Sequence, residues 1–170
     1  MARVRGFSPI CRADARILIL GSMPSRESLA RRQYYAHPRN AFWPILTDLL
    51  AIEDSAYAAR TDRVVHRGVA IWDVLKACYR AGSLDSAIDH RTLVTNDFRS
   101  FFDKHPLVRA VFFNGAKAET VYRKHVLPGL SGSAAALPLQ RLPSTSPAHA
   151  AMTLEQKLAA WRVLLDYVVE

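Results

Sequence analysis

Short apolar runs alternate with longer amphipathic stretches along this 170-residue chain. Four runs, "RILIL" (16–20), "GVAIWDV" (68–74), "RAVFFN" (109–114) and "LPLQRLP" (137–143), are dominated by Val, Ile, Leu and Phe without strict apolar–polar alternation. That pattern belongs to strands covered on both faces, as in a parallel sheet. The intervening segments carry helical periodicity: "FWPILTDLLAI", "AYAARTDRVVHR", "NDFRSFFDKH", "GAKAETVYRKHV" and the closing "TLEQKLAAWRVLLDYVVE". Pro44 must fall in a first turn, where a missing N–H does least harm. Thr153 and Gln156 stand at capping-box spacing. Strands that alternate with helices predict an α/β fold around a central, mostly parallel sheet.

One connection breaks the rhythm. After "RILILG" the chain spends about twenty residues on Pro, Tyr, His and Arg before Phe42 and Trp43 restore an apolar pattern, whereas a plain strand-to-helix link needs only about 2–6. Phe42 and Trp43 are expected as core anchors. Ligands of open α/β sheets gather beyond the carboxyl ends of the strands. The rule singles out residues 21–25 with the long loop behind them, 73–76, 114–115 and 143–149.

Composition narrows the partner. Lys and Arg number 23 against 15 Asp and Glu, a net charge of +8. Such a balance favours a polyanion such as nucleic acid, although Arg-rich composition also follows from a GC-rich genome. Arg26, Arg31, Arg32 and Arg39 cluster in the long loop. No run has the length of a membrane span and no signal segment opens the chain, so a cytoplasmic, single-domain protein (1–170) is expected, with Cys11 and Cys78 as reduced thiols.

Each candidate group admits two uses. Tyr34 and Tyr35 offer flat faces to a base. Asn40 can cap the following helix or serve chemistry. Asn114 can grip a base edge through its amide or cap the helix that begins near Gly115. Ser144, Thr145 and Ser146, held between Pro143 and Pro147, can pin a phosphate or simply form a turn. Asp73 is the one acid well placed, with an N-cap role for a helix beginning near Val74. Lys76 and Lys117 are expected on helical surface. Dinucleotide, Walker and serine-hydrolase signatures are absent, as is metal-ligand spacing among the six histidines. Carboxylates are scarce in the candidate loops, against a two-metal nuclease.

Taken together, "ILGSMPS", "QYYAHPRNAFWP", "GVAIWDVL" with "GSLDSAI", "FFNGAKA" and "LPSTSPA" resemble, in order and spacing, the uracil-DNA glycosylase superfamily and within it the hypoxanthine-DNA glycosylase branch. The resemblance covers nearly the whole chain. It implies a three-layer α/β/α sandwich around a four-stranded sheet, and a monomeric base-excision repair enzyme without cofactor or metal. DNA carrying deaminated bases is the implied partner. It places Tyr35 against the flipped base, with Gly21, Ser22 and Met23 beside it and Asn114 at the base edge. Ser144, Thr145, Ser146, Pro147, Arg39 and His149 fall on the DNA backbone, and Asn40 becomes the catalytic amide. Two departures from many relatives stand out: Met23 where an Asp or Asn positions water, and Leu142 where a His or Asn begins the second motif. Neither side chain orients water. A uracil enzyme of the usual kind is thus disfavoured, and the likeness of "HPRN" to the hypoxanthine branch implies removal of hypoxanthine; with no lysine in the motif loops beyond Lys76 and Lys117, monofunctional hydrolysis is expected. Uracil or mismatch excision, or damaged-DNA binding without catalysis, are the alternatives.

Overall fold

The computed structural model describes residues 2–53 and 55–170. In chain order its strands and helices are β1 (Ala2–Arg5), β2 (Ile17–Gly21), α1 (Arg26–Arg31), α2 (Phe42–Leu49), α3 (Tyr57–His66), β3 (Val69–Asp73) and β4 (Leu75–Arg80), followed by β5 (Val94–Thr95), α4 (Phe98–Lys104), β6 (Ala110–Asn114), α5 (Ala116–Val121), α6 (Gly132–Ala135), β7 (Leu139–Leu142) and α7 (Leu154–Trp161). The central sheet runs β3-β2-β6-β7 with all neighbours parallel. Helices flank it in a three-layer α/β/α sandwich.

Each central strand forms where the sequence is uninterruptedly apolar: β2, β3 and β6 are buried at every position. β7 is different. It lies at an edge, and Gln140 and Arg141 are exposed. Its polar residues are the mark of an edge strand, not of the fully covered one expected.

Register and parity then sort the side chains, because successive residues of a strand face opposite sides. Trp72 and Phe113 share one face: Trp72 meets Phe98 and Phe101 of α4, and Phe113 meets Tyr122 beyond α5. Phe112 points to the other face, against Tyr167. α2 and α7 join through the edge contact of Phe42 with Trp161. The fully buried Trp161 also donates its indole N–H to the Pro143 carbonyl at 2.9 Å, which ties the last helix to the loop after β7. Pro44 sits in the first turn of α2, and Thr153 with Gln156 forms the capping box of α7.

Several elements depart from the sequence pattern. No helix follows Asp73: the chain continues directly into β4, which pairs antiparallel with β1 and β5 in a second, three-stranded sheet. Lys76 is consequently an exposed strand residue, while Lys117 lies on α5 as expected. The long loop contains a helix of its own, α1, capped by the Ser25 hydroxyl. The helix leaving β6 passes after Val121 into a wider π turn, and the closing helix ends at Trp161 in a 3-10 segment.

Candidate active site at the strand ends

The register levels four residues across the carboxyl edge of the sheet. Asp73 pairs with Gly21, Asn114 with Leu142, and Leu20 with Phe113 immediately before them. Asp73, Gly21 and Asn114 thus stand in one row on one face. Above them opens a cavity of about 320 Å³, within the ~300–1,000 Å³ range of small-molecule sites. Tyr35, Asn40, Ser22, Met23, Ser144 and His149 are among the residues that line it. Arg39 and Pro147 lie outside the lining and are solvent-exposed.

Gly21 is required by space. A Cβ there would lie 2.5 Å from Asp73 Oδ1 and 2.8 Å from Tyr35 Oη, closer than real Cβ contacts allow. The glycine lets the carboxyl group and the phenol converge over the sheet edge. Tyr35 adopts φ of 55°, a left-handed conformation that few bulky residues take. One ring face stacks on Phe42 at 3.8 Å between centroids, so a base can use only the other. Its buried hydroxyl lies beside the Asn114 amide without a hydrogen bond of good geometry among the described residues. Burial, with Asp73 adding to it, pushes the phenol far above its ordinary range, so it remains a donor at all working pH.

Asn40 is half-buried at the cavity wall. Its Oδ1 accepts the Phe42 N–H at 2.9 Å, so the helix-entry role is filled, although the N-cap itself is Ala41. Nδ2 has no partner among the described residues, and one Oδ1 lone pair remains for the cavity.

Asn114 is already engaged. Its Nδ2 donates to Thr145 Oγ1 and its Oδ1 accepts from Thr145 N–H, both at 2.9 Å. The bidentate grip expected on a base edge is made instead on the second loop, leaving one donor and one acceptor position. It is not the helix cap, which is Gly115 at φ of 94°. Thr145, expected at the DNA surface, is 0 % exposed. Its hydroxyl, N–H and carbonyl go to Asn114 and to Ala41 N–H, so it fastens the loop to β6 and to the start of α2. Ser144 and Ser146 hydroxyls accept from Ser146 and Ala148 N–H groups within the loop. Met23 and Leu142, the two departures, are buried apolar groups.

Two acids, not one, reach the cavity. Asp85, on a 3-10 turn after β4, accepts the Ser22 hydroxyl. Asp73 is only 3 % exposed, and its Oδ2 is buried without a hydrogen-bond donor among the described residues. Burial pushes the Asp73 carboxyl up to about 7; the Asp85 charge adds to the rise, and Arg80 opposes it. Sequence reasoning missed both roles. Asp85 sits in the quoted "GSLDSAI", but its proximity to Ser22 spans 63 residues of chain. The N-cap reading of Asp73 fails because no helix follows it.

The uracil DNA glycosylase superfamily model matches residues 8–165. This chain belongs to that superfamily. It is 37 % identical over 139 residues to the hypoxanthine DNA glycosylase of Methanosarcina acetivorans, spanning 76 % of this chain and 87 % of that one. It is 34 % identical over 116 residues to the protein of that name from Methanosarcina barkeri, over 67 % of this chain and 72 % of the relative. A solution NMR structure from M. acetivorans, provisionally assigned as a uracil DNA glycosylase, superposes with a TM-score of 0.78 at 33 % identity, covering 96 % of this chain and 99 % of the other. The likeness to the solved structure extends over the fold, including the four-stranded parallel sheet. Among the described residues no helix is long and apolar enough to cross a membrane.

Proposed function

We propose that this member of the superfamily is a monofunctional DNA glycosylase that hydrolytically removes hypoxanthine from deoxyinosine. The observation that carries the reading is the convergence of Tyr35, Gly21 and the unspent amide of Asn40 on one cavity at the strand ends. The names of the two Methanosarcina relatives support hypoxanthine as the base. In this reading the chain is a single glycosylase domain over residues 1–170, acting as a monomer in the cytoplasm on DNA that carries deaminated bases.

The chemistry follows from what the cavity can offer. The target nucleotide leaves the stack at a cost of a few kcal/mol, least for a mispaired base. Its base slides against the free face of Tyr35. As the N-glycosidic bond lengthens, the sugar gains positive charge, which the flanking phosphates and a preorganised polar site stabilise. Such a transition state asks little of a general base. Asn40 holds the incoming water through Nδ2–H and the second Oδ1 lone pair, so that positioning rather than proton abstraction does the work. The cavity lining contains no lysine, which supports hydrolysis over a Schiff-base route. In this reading Arg39, Ser144, Ser146, Pro147 and His149 contact the DNA backbone, with Thr145 anchoring the loop beneath them.

The test is an inosine-containing duplex treated with enzyme and then with hot alkali. Strand breaks at inosine are expected for the wild type, and Asn40→Ala should lower the rate roughly 10²–10⁴-fold, the range for a positioned catalytic group. Intact strands with inosine, xanthine and uracil substrates alike would reject the reading. Faster breakage at uracil than at inosine would move the enzyme to the uracil or mismatch specificity. Tight, salt-sensitive binding to damaged DNA with no base released would make it a binding module.

A further inference from the structure

A nucleotide that leaves a duplex leaves a gap in the stack, and a side chain that enters the gap keeps it from closing. Large apolar groups serve as such wedges in DNA-bending proteins. The loop after β7 offers none beside the cavity: Ser144, Thr145, Ser146, Ala148 and His149 line it, and Pro147 lies outside the lining. A different loop does. Leu84 belongs to the cavity lining and yet is 57 % exposed, the most exposed large apolar side chain among the described residues. It follows β4, the direct continuation of β3, and β3 and β7 are the two edges of the central sheet. The two loops therefore flank the cavity from opposite ends of the strand row.

Single exposed leucines are ordinary. This one is held out in water by a fixed loop. Arg80, at the end of β4 and only 2 % exposed, donates Nε–H to the Gly82 carbonyl at 2.9 Å and Nη2–H to the Pro24 carbonyl at 2.6 Å. A β-bridge between Arg80 and Ile88 closes the base of the loop. Immediately before Leu84, Ser83 Oγ accepts the Arg26 N–H at 2.9 Å; immediately after it, Asp85 accepts the Ser22 hydroxyl. The Leu84 carbonyl itself accepts Ala87 N–H at 3.0 Å. A buried guanidinium costs stability, and here it ties a short loop to the turn after β2. The same loop returns Ile88 to the core while leaving Leu84 outside it.

We propose that Leu84 is an apolar wedge that enters the base stack of duplex DNA and holds open the gap left by the flipped nucleotide. Because the loop is already ordered, little freedom is lost when the side chain inserts. Burying a leucine that the free protein leaves in water shifts an equilibrium by roughly 10–10²-fold, which offsets part of the unstacking cost. Arg26, exposed beside the Ser83 anchor, supplies a cation for the flanking phosphate. Apolar contact of this kind is blind to base identity. The wedge governs whether a duplex is opened, not which base is removed.

The inference rests on the base-excision reading, and its test separates the two. One inosine-containing oligonucleotide is assayed as a duplex and as a single strand, where no paired stack has to be held open, with wild type, Leu84→Ala and Leu84→Met. Leu84→Ala is expected to lower the duplex-to-single-strand ratio of kcat/KM roughly 10–10²-fold. Leu84→Met, which keeps apolar volume, is expected to hold the ratio within about threefold of wild type. All three should melt together, since Leu84 lies outside the core. In parallel, 2-aminopurine placed next to inosine in the duplex is followed by stopped-flow fluorescence before base release. Wild type is expected to brighten it as its stacking neighbour is lost, and Leu84→Ala to leave it near the level of free duplex. Equal losses on duplex and single strand in Leu84→Ala, an unchanged ratio, or equal brightening by both proteins would overturn the wedge. A wild type that releases no base from inosine, xanthine or uracil in either form would instead overturn the base-excision reading, and the fluorescence would still decide the role of Leu84.

Discussion

The most informative residue is the one whose environment is least comfortable. Asp73 is buried, its Oδ2 has no donor among the described residues, and its carboxyl is raised to about 7, against about 4 in an unfolded chain. Because the folded state holds this proton more tightly, the Asp73 contribution to folding stability is fully present below about pH 4 and is lost as pH rises through about 7. Three units correspond to an order of magnitude of about 4 kcal/mol. Asp73→Asn is accordingly expected to melt higher than wild type at pH 8 and to show no such gain at pH 4, measured by calorimetry at matched ionic strength. An equal shift at both pH values would mean that Asp73 is not the titrating group. A residue that weakens the fold at working pH and faces the cavity has the character of a functional site. From the sequence it looked like a helix cap, since whether helix or strand follows "IWDVL" depends on β4 finding β1 and β5, not on local pattern.

At the scale of elements, the second loop is held by one exchange. Thr145 and Asn114 trade two hydrogen bonds while buried, and Thr145 also receives Ala41 N–H at the start of α2. Thr145→Val keeps the shape but strands Asn114 Nδ2, at a cost of about 1–3 kcal/mol. Chemical denaturation should register that loss. Base release should fall as well, because the loop and the Asn40 segment share the anchor; full activity with lowered stability would show that the anchor does not position the site. Legibility differs by element for physical reasons. β2, β3 and β6 could be read directly because they are buried on both faces and so are continuously apolar. β4, with its exposed Lys76 and Tyr79, and the two-residue β5 carry too weak a signal to separate from loop. α1, "RESLAR", is polar and short, and its cap Ser25 is obvious only once the turn exists. The unusual length of the loop marked it as a candidate site, but the roles of Tyr35 and Asn40 came only from the family resemblance, since an Asn before a helix reads equally as a cap. Asp85 could not be placed at the site, because its contact with Ser22 is made entirely by tertiary folding.

For the whole molecule, the parallel sheet places loops from distant parts of the chain at one edge, and strand parity turns Asp73, Gly21 and Asn114 to the same side. Everything else in the account depends on that edge being a base pocket. The net charge of +8 brings the chain to a polyanion without choosing a base; choice belongs to the cavity. The most direct measurement is the identity of the molecule set free. Wild-type protein and Asn40→Ala, incubated in parallel with an inosine-containing duplex, are compared by mass spectrometry of the small-molecule fraction. The account predicts free hypoxanthine from the wild type and an intact but abasic strand, with at least 10²-fold less from the variant. No free base from the wild type, or equal release from both proteins, would contradict it.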